Sequence, residues 1–345
     1  MKWFSDLLRA DFEDRAGAAG EPRAFRIADR RVEFRFADRR WIAPFTRSLE
    51  HLRAAREDGG LTIRVWDGET APRNRVLRAY LFTLTNWWFQ YTGPRGQLLD
   101  IHSENFAAFY DPLPGLLTVL DGDEGFIWKR DASDLPYFEA CAPARVVLHA
   151  WLRKQNAQLI HGAAVGSAAG GVLLAGPGGS GKSTSALACL DSGLRYLSDD
   201  YCVVDDRFVA HSLYGAAKLV GDEDLGRFPE LSVWNTNREP GEKAALFVHE
   251  QRAEKLIDRF ALKAILVPQV TGARDTSLEP CTQSEALQAL APSTMAQLPA
   301  SGAADLKFMS QMVRKLPCYR LRVGAELAQI PRAIETLLAP AGARA

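Results

Sequence analysis

The sequence predicts an α/β domain built around a glycine-rich phosphate loop, preceded by an α+β domain of different character. Three observations lead there. Residues Gly176-Pro-Gly-Gly-Ser-Gly181-Lys182-Ser183 spell G-x-x-x-x-G-K-[ST]. An apolar run, Gly171-Val-Leu-Leu-Ala175, precedes them, and a breaker-free stretch of helix formers, Ser185-Ala-Leu-Ala-Cys-Leu190, follows. The first stretch of roughly 140 residues has none of this and alternates short strand patterns with turn signals instead.

The order strand, glycine loop, helix is what such a loop needs to hold phosphate. Glycines let the backbone fold into a nest whose N–H groups point at an anion. On that reading Gly176, Gly178, Gly179, Ser180 and Gly181 line the phosphates, together with Thr184. Lys182 adds a full charge that reaches the β- and γ-phosphates, and the Ser183 hydroxyl can ligate Mg²⁺. The following helix turns its positive end to the same groups. Gly193 stops that helix.

From the start of the chain, Phe25-Arg-Ile and Val32-Glu-Phe-Arg-Phe alternate as half-buried strands around a turn at Asp29-Arg-Arg31. Arg47 to Arg56 carries a helical pattern closed by Asp58-Gly-Gly60. Leu61-Thr-Ile-Arg-Val-Trp66 is a strand ended by Asp67-Gly68. Asn86-Trp-Trp-Phe-Gln-Tyr91 concentrates aromatics, which serve more often as core than as a ligand surface. Asn105-Phe-Ala-Ala-Phe-Tyr110 and Phe126-Ile-Trp128 read as strands. This domain, residues 1–142, carries no chemical motif, so it packs the molecule or recruits a substrate. Pro143 opens an amphipathic helix, Ala144 to Arg153, and the expected boundary lies there. Strands and helices then alternate to Leu338, giving the second domain over 143–338. The tail, 339–345, is expected to fray.

Composition sets outer limits. Of 345 residues, 47% are apolar and 24% charged, an ordinary balance for a globular protein. Lys plus Arg number 42, as do Asp plus Glu, so no global field favours nucleic acid or an anionic membrane. No stretch is apolar for long enough to span a bilayer. The opening residues lack the apolar core of a signal peptide, and a cytoplasmic location is expected. Cysteines 141, 189, 202, 281 and 318 have no metal spacing and read as small hydrophobes.

Two features flank the loop. His161-Gly162 closes the segment Gln158-Leu-Ile just before the strand that feeds it. Downstream, Leu194-Arg-Tyr-Leu-Ser198 runs into Asp199-Asp200 and then Tyr201-Cys-Val-Val204. Paired acids after the loop helix suit phosphoryl transfer. One carboxylate can hold Mg²⁺ while its neighbour takes a proton from an incoming hydroxyl. Asp205-Asp206 reads instead as the turn to Phe208.

The series H-G, strand, G-x-x-G-x-G-K-S-x-x-A-L, strand ending in D-D resembles the HPr kinase/phosphorylase family. The wider relation is to P-loops of the phosphoenolpyruvate carboxykinase type. The chain is similar in particular to HPr-kinase-related proteins of bacterial gene clusters, among them kinases that modify lasso peptides. The resemblance is specific from His161 to Val204. It implies that Lys182 and Ser183 bind phosphates and Mg²⁺, that Asp199 is the base and that Asp200 helps the metal. His161 then lines the site near the transferred phosphate, and Lys218 and Lys243 match basic positions of these relatives. Gly221-Asp-Glu-Asp-Leu-Gly-Arg-Phe-Pro-Glu230 stands where HPr kinases carry a signature containing R-G-L-G, so the resemblance does not extend to HPr as acceptor. The expected activity is transfer of the γ-phosphoryl of ATP, with Mg²⁺, to a Ser or Thr of a protein or peptide. A small-molecule kinase and a nucleotide-gated regulatory protein are the alternatives. The oligomeric state stays open.

Overall fold

The structure, a computed structural model, describes residues 2–16, 20–68, 98–102, 105–299 and 301–339. It is a mixed α/β protein with several sheets. The chain divides into two compact units, Met1–Gln155 with Ala296–Ala300, and Asn156–Met295 with Ser301–Ala345.

The first unit holds a sheet of seven strands among the described residues. They are β1 (Gly20–Ile27), β2 (Arg30–Phe36), β3 (Leu61–Asp67), β4 (Leu98–His102), β5 (Phe106–Asp111), β6 (Leu116–Asp121) and β7 (Glu124–Lys129), in the order β1-β2-β3-β7-β6-β5-β4. The β2–β3 and β3–β7 pairs are parallel, and the rest are antiparallel. The β1–β2 turn sits at Ala28-Asp29, one position earlier than the sequence suggests, with φ of 47° and 62°. That primed geometry matches the twist of a hairpin. A helix the sequence pattern did not signal, Lys2–Arg15, lays Leu8 and Phe12 on Trp66, Phe126 and Trp128. The Trp66 indole donates to Asp11 Oδ2 at 2.9 Å, which gives both buried polar groups a partner.

Two expectations for this region are corrected. The helical pattern over Arg47–Arg56 forms only a 3₁₀ stretch, Arg47–Leu52. Beyond it, Arg53 bridges Phe25 and the Ala54 amide donates to Ala24 O, so the edge of β1 captures the chain. The helix expected to open the second domain, Arg145–Arg153, falls within the first unit. Its Val147 fills the space left by Gly125 on β7, and its Trp151 indole donates to Asp123 Oδ1 at 2.7 Å. The aromatic stretch 86–91 and the end of the tail lie outside the described residues.

The second unit contains β8 (Ala157–Ser167), β9 (Gly170–Ala175), β10 (Arg195–Ser198), β11 (Tyr201–Asp205), β12 (Val209–His211), β13 (Ala216–Leu219), β14 (Ala244–Phe247), β15 (Arg259–Val270), β16 (Ser277–Pro280) and β17 (Cys318–Val323). β13 and β14 pair with each other, and the remaining eight form one sheet. β9 lies between antiparallel β8 and parallel β15, with β17 parallel beyond. Alternate residues of β9 enter two cores. Val172 and Leu174 pack with Leu187, Leu246 and Ile334, and Leu173 and Ala175 with Leu290, Met309 and Met312. Burial on both faces explains why β9 is a continuous apolar run. The five cysteines are free, four of them buried. Among the described residues no helix is long and apolar enough to cross a membrane.

Candidate active site at the end of β9

The chain leaves β9 at Ala175, crosses Gly176–Gly181 and enters the helix Lys182–Ala188. The loop therefore emerges at the carboxyl end of a central strand, where open α/β sheets leave a crevice. Gly179 and Gly181 have φ of 79° and 97°, a region costly to any residue with a Cβ. A Cβ on Gly176 would come within 2.6 Å of Ser180 Oγ, and one on Gly181 within 3.2 Å of Val270 at the end of β15. Around Gly178 the space is open. Thr184 is buried in the first turn of the helix, and Ser183 is half-buried beside it.

Lys182 is buried and folds back over the loop. Its ammonium donates to Gly176 O at 2.7 Å and to Pro177 O at 2.9 Å. Burial lowers its pKa, against the pull of Asp199 and Asp200. The charges of Lys243 and Lys218 add to the lowering.

The paired acids form the turn between β10 and β11. Asp200 has φ of 66°, a conformation Asp tolerates better than most residues. The Tyr201 amide donates to Asp199 O at 2.7 Å, and the Gly162 amide to Asp200 O at 3.1 Å, which ties the turn to β8. The two carboxylates then face different partners. Asp200 Oδ1 lies 3.4 Å from His161 Nε2, and its Oδ2 lies 2.5 Å from Lys218 Nζ. Asp199 is buried; its Oδ2 accepts from the Lys218 amide at 3.4 Å, while its Oδ1 has no hydrogen-bond partner among the described residues.

Their proton affinities separate accordingly. Burial raises the Asp199 pKa, the adjacent Asp200 charge adds to the rise, and the Ser183 side chain opposes it. Burial would raise Asp200 too, but Lys218 and His161 outweigh it and hold the carboxyl well below the usual range. Burial also lowers His161, with Asp200 as the opposing pull.

The structure thus brings His161, Asp199, Asp200 and Lys218 together, with Ser183 and Lys182 of the loop acting on Asp199, while Lys243 acts on Lys182 only as a nearby charge. Two supporting residues were not signalled by the sequence. Thr294, from the helix Gln283–Gln297, accepts the His161 amide at 3.2 Å. Ser198 donates to Tyr201 O at 2.7 Å and accepts the Tyr214 amide at 3.2 Å, which fixes the turn. Among the described residues no group of three or more His, Cys, Asp or Glu side chains could hold a metal ion by itself.

No family model matches the sequence, and no curated protein matches it either. Among solved structures, the chain is similar in part to the HPr(Ser) kinase/phosphatase from Coxiella burnetii. The identity is 12% and the TM-score 0.28, over 52% of this chain and 93% of that one. The likeness is distant, and what the site can do follows from its own groups.

Proposed function

We propose that the chain is a kinase that moves the γ-phosphoryl group of ATP to a hydroxyl, with a Ser or Thr of a protein or peptide as acceptor. The observation that carries the reading is the convergence of Lys182, a glycine nest and two differently partnered acids at the end of one central strand. The positive-φ glycines aim backbone donors at an anion, and Lys182 can exchange its carbonyl partners for phosphate oxygens. Lys218 and Lys243 add charge against the phosphates.

The residues present fit Mg²⁺. Asp199 Oδ1 is an orphaned, buried carboxylate oxygen, and the Ser183 side chain acts on the same carboxyl. A hard cation that keeps several waters and takes one or two protein oxygens besides phosphates needs no larger cluster. Bound by Ser183 and Asp199, it would neutralise charge on the β- and γ-phosphates. This favours a division of labour opposite to the sequence expectation, which gave the proton to Asp199 and the metal to Asp200. Asp200, held ionised by Lys218 and His161, is then the carboxylate left free of the metal to take the proton, and loosening of the Lys218 pair as the acceptor binds would raise its proton affinity. In the transfer, the acceptor oxygen bonds the γ-phosphorus, the bond to the β-phosphate oxygen breaks, and the hydroxyl proton passes to Asp200. Positioning and charge cancellation supply most of the rate.

The direct test is isothermal titration of Mg-ATP into the wild type and Lys182→Ala, with radiolabelled transfer to a Ser/Thr peptide pool. Equal affinity for the two proteins would remove the reading.

A further inference from the structure

The outer face of β2 in the first unit carries Arg31, Glu33 and Arg35 at alternate positions. The Glu33 side chain is fully buried although its face is polar, because guanidiniums cover it. Arg31 Nη2 donates to its Oε2, Arg35 Nε to its Oε1 at 2.7 Å, and Arg56 Nε to its Oε2 at 3.0 Å. These residues line a cavity of about 350 Å³ with Glu57, Asp58, Gly59, Gly60 and Thr62. Thr62 lies opposite Glu33 in the β2–β3 register.

The way the arginines are used is informative. Arg35 and Arg56 each commit only Nε to Glu33. Among the described residues their Nη groups have no partner, and their side chains are 40% and 60% exposed. Glu33 therefore anchors two guanidiniums by one edge and leaves the other edge of each on the cavity. A guanidinium edge with two N–H groups matches an oxyanion bidentately, and anchoring lowers the entropy lost on binding. Lining charge limits what fits. Glu57 is paired with Arg26, whose Nη2 lies 3.2 Å from each of its oxygens. The lining itself carries three guanidiniums and three carboxylates. With Glu57 neutralised by Arg26 from beyond the lining, Arg31, Arg35 and Arg56 face Glu33 and Asp58, which leaves one positive charge for the ligand.

We propose that this cavity is a binding site for a single carboxylate group, carried by an acidic peptide side chain or by a small organic acid. Arg35 and Arg56 grip it through their Nη groups, and Arg31 and Glu33 hold them in place. It is built from residues of the first unit and does not depend on the kinase reading.

The test is calorimetric titration of the full chain with three probes: glutarate, an acetylated Glu-Ala-Glu tripeptide and inorganic phosphate. At least one carboxylate probe should bind, and Arg35→Ala/Arg56→Ala should weaken it at least tenfold. Lys307→Ala, an exposed charge elsewhere, should leave it unchanged. Arg35→Lys/Arg56→Lys keeps the charge and the cover over Glu33, and it should also weaken binding because the paired N–H groups are gone. Preference for glutarate or for the tripeptide identifies the source of the carboxylate. Binding of phosphate alone, binding indifferent to both double variants, or no carboxylate binding below roughly 10 mM overturns the proposal.

Discussion

Lys218 Nζ lies 2.5 Å from Asp200 Oδ2, so a lysine on the two-stranded sheet neutralises the second acid of the β10–β11 turn. The first acid, Asp199, meets Lys218 through its backbone amide and has the Ser183 side chain beside it. One residue thus sorts two adjacent carboxylates into one held by its ammonium and one it meets only through its backbone, and most of what the site should do follows from that sorting.

Replacing Lys218 by Met should shift the acid limb of the pH–rate profile to higher pH. Asp200 is now held low by Lys218 and His161 against burial. Without the ammonium, burial gains weight, the folded-state pKa rises, and the ionised form is lost sooner as pH falls. An acid limb that stays in place would show that Asp200 is not the titrating base.

The two acids should separate in a Mg²⁺ titration. Asp199→Asn removes the carboxylate beside Ser183 and should raise the Mg²⁺ concentration needed for half-maximal activity at least tenfold. Asp200→Asn should leave that concentration within about twofold and cut kcat by roughly 10²–10⁴. The reverse pattern would restore Asp199 as the base.

The loop glycines should differ in tolerance. Gly181→Ala places a Cβ at φ 97° and 3.2 Å from Val270, and should cost about 1–2 kcal/mol and weaken nucleotide binding. Gly178→Ala meets open space at an ordinary φ and should be nearly neutral. Thermal melts and nucleotide titrations of both variants check this; equal losses would mean that loop conformation is not what the glycines protect.

The first unit should weaken in acid through His149. Burial pushes its pKa down to about 3 from the ordinary 6.5. The unfolded chain then binds a proton below 6.5 that the folded chain refuses. Stability is complete above 6.5 and is lost progressively as pH falls toward 3, by about 2 kcal/mol at pH 5 from this group. His161 acts in the same direction in the second unit. Urea midpoints at pH 7 and pH 5 should differ less in His149→Gln than in the wild type. An unchanged difference sinks the assignment.

The phosphate-loop octapeptide, the apolar strand before it and the acid pair after it were legible because each is local. Only glycine at Gly179 and Gly181 takes the required φ cheaply, and a strand buried on both faces must be continuously apolar. The sequence by itself therefore determined the loop, its strand and the residues worth testing. It misplaced the helix Arg145–Arg153, since an amphipathic pattern says that a face is buried but not against what. It also overstated the helix at Arg47–Arg56, where pairing with β1 overrides local preference. The roles of Asp199 and Asp200 were out of its reach. Which acid meets Lys218 and His161 depends on three segments far apart in sequence, brought together by β8, β13 and the turn at φ 66°. The buried Glu33 was equally hidden, because alternation on β2 reads Arg31, Glu33 and Arg35 as a solvated face. Only the arrival of Arg56 from another segment, together with the packing of the three guanidiniums over one carboxylate, closes that face against water. Proton affinity and anion binding are properties of such surroundings, and tertiary structure alone supplies them.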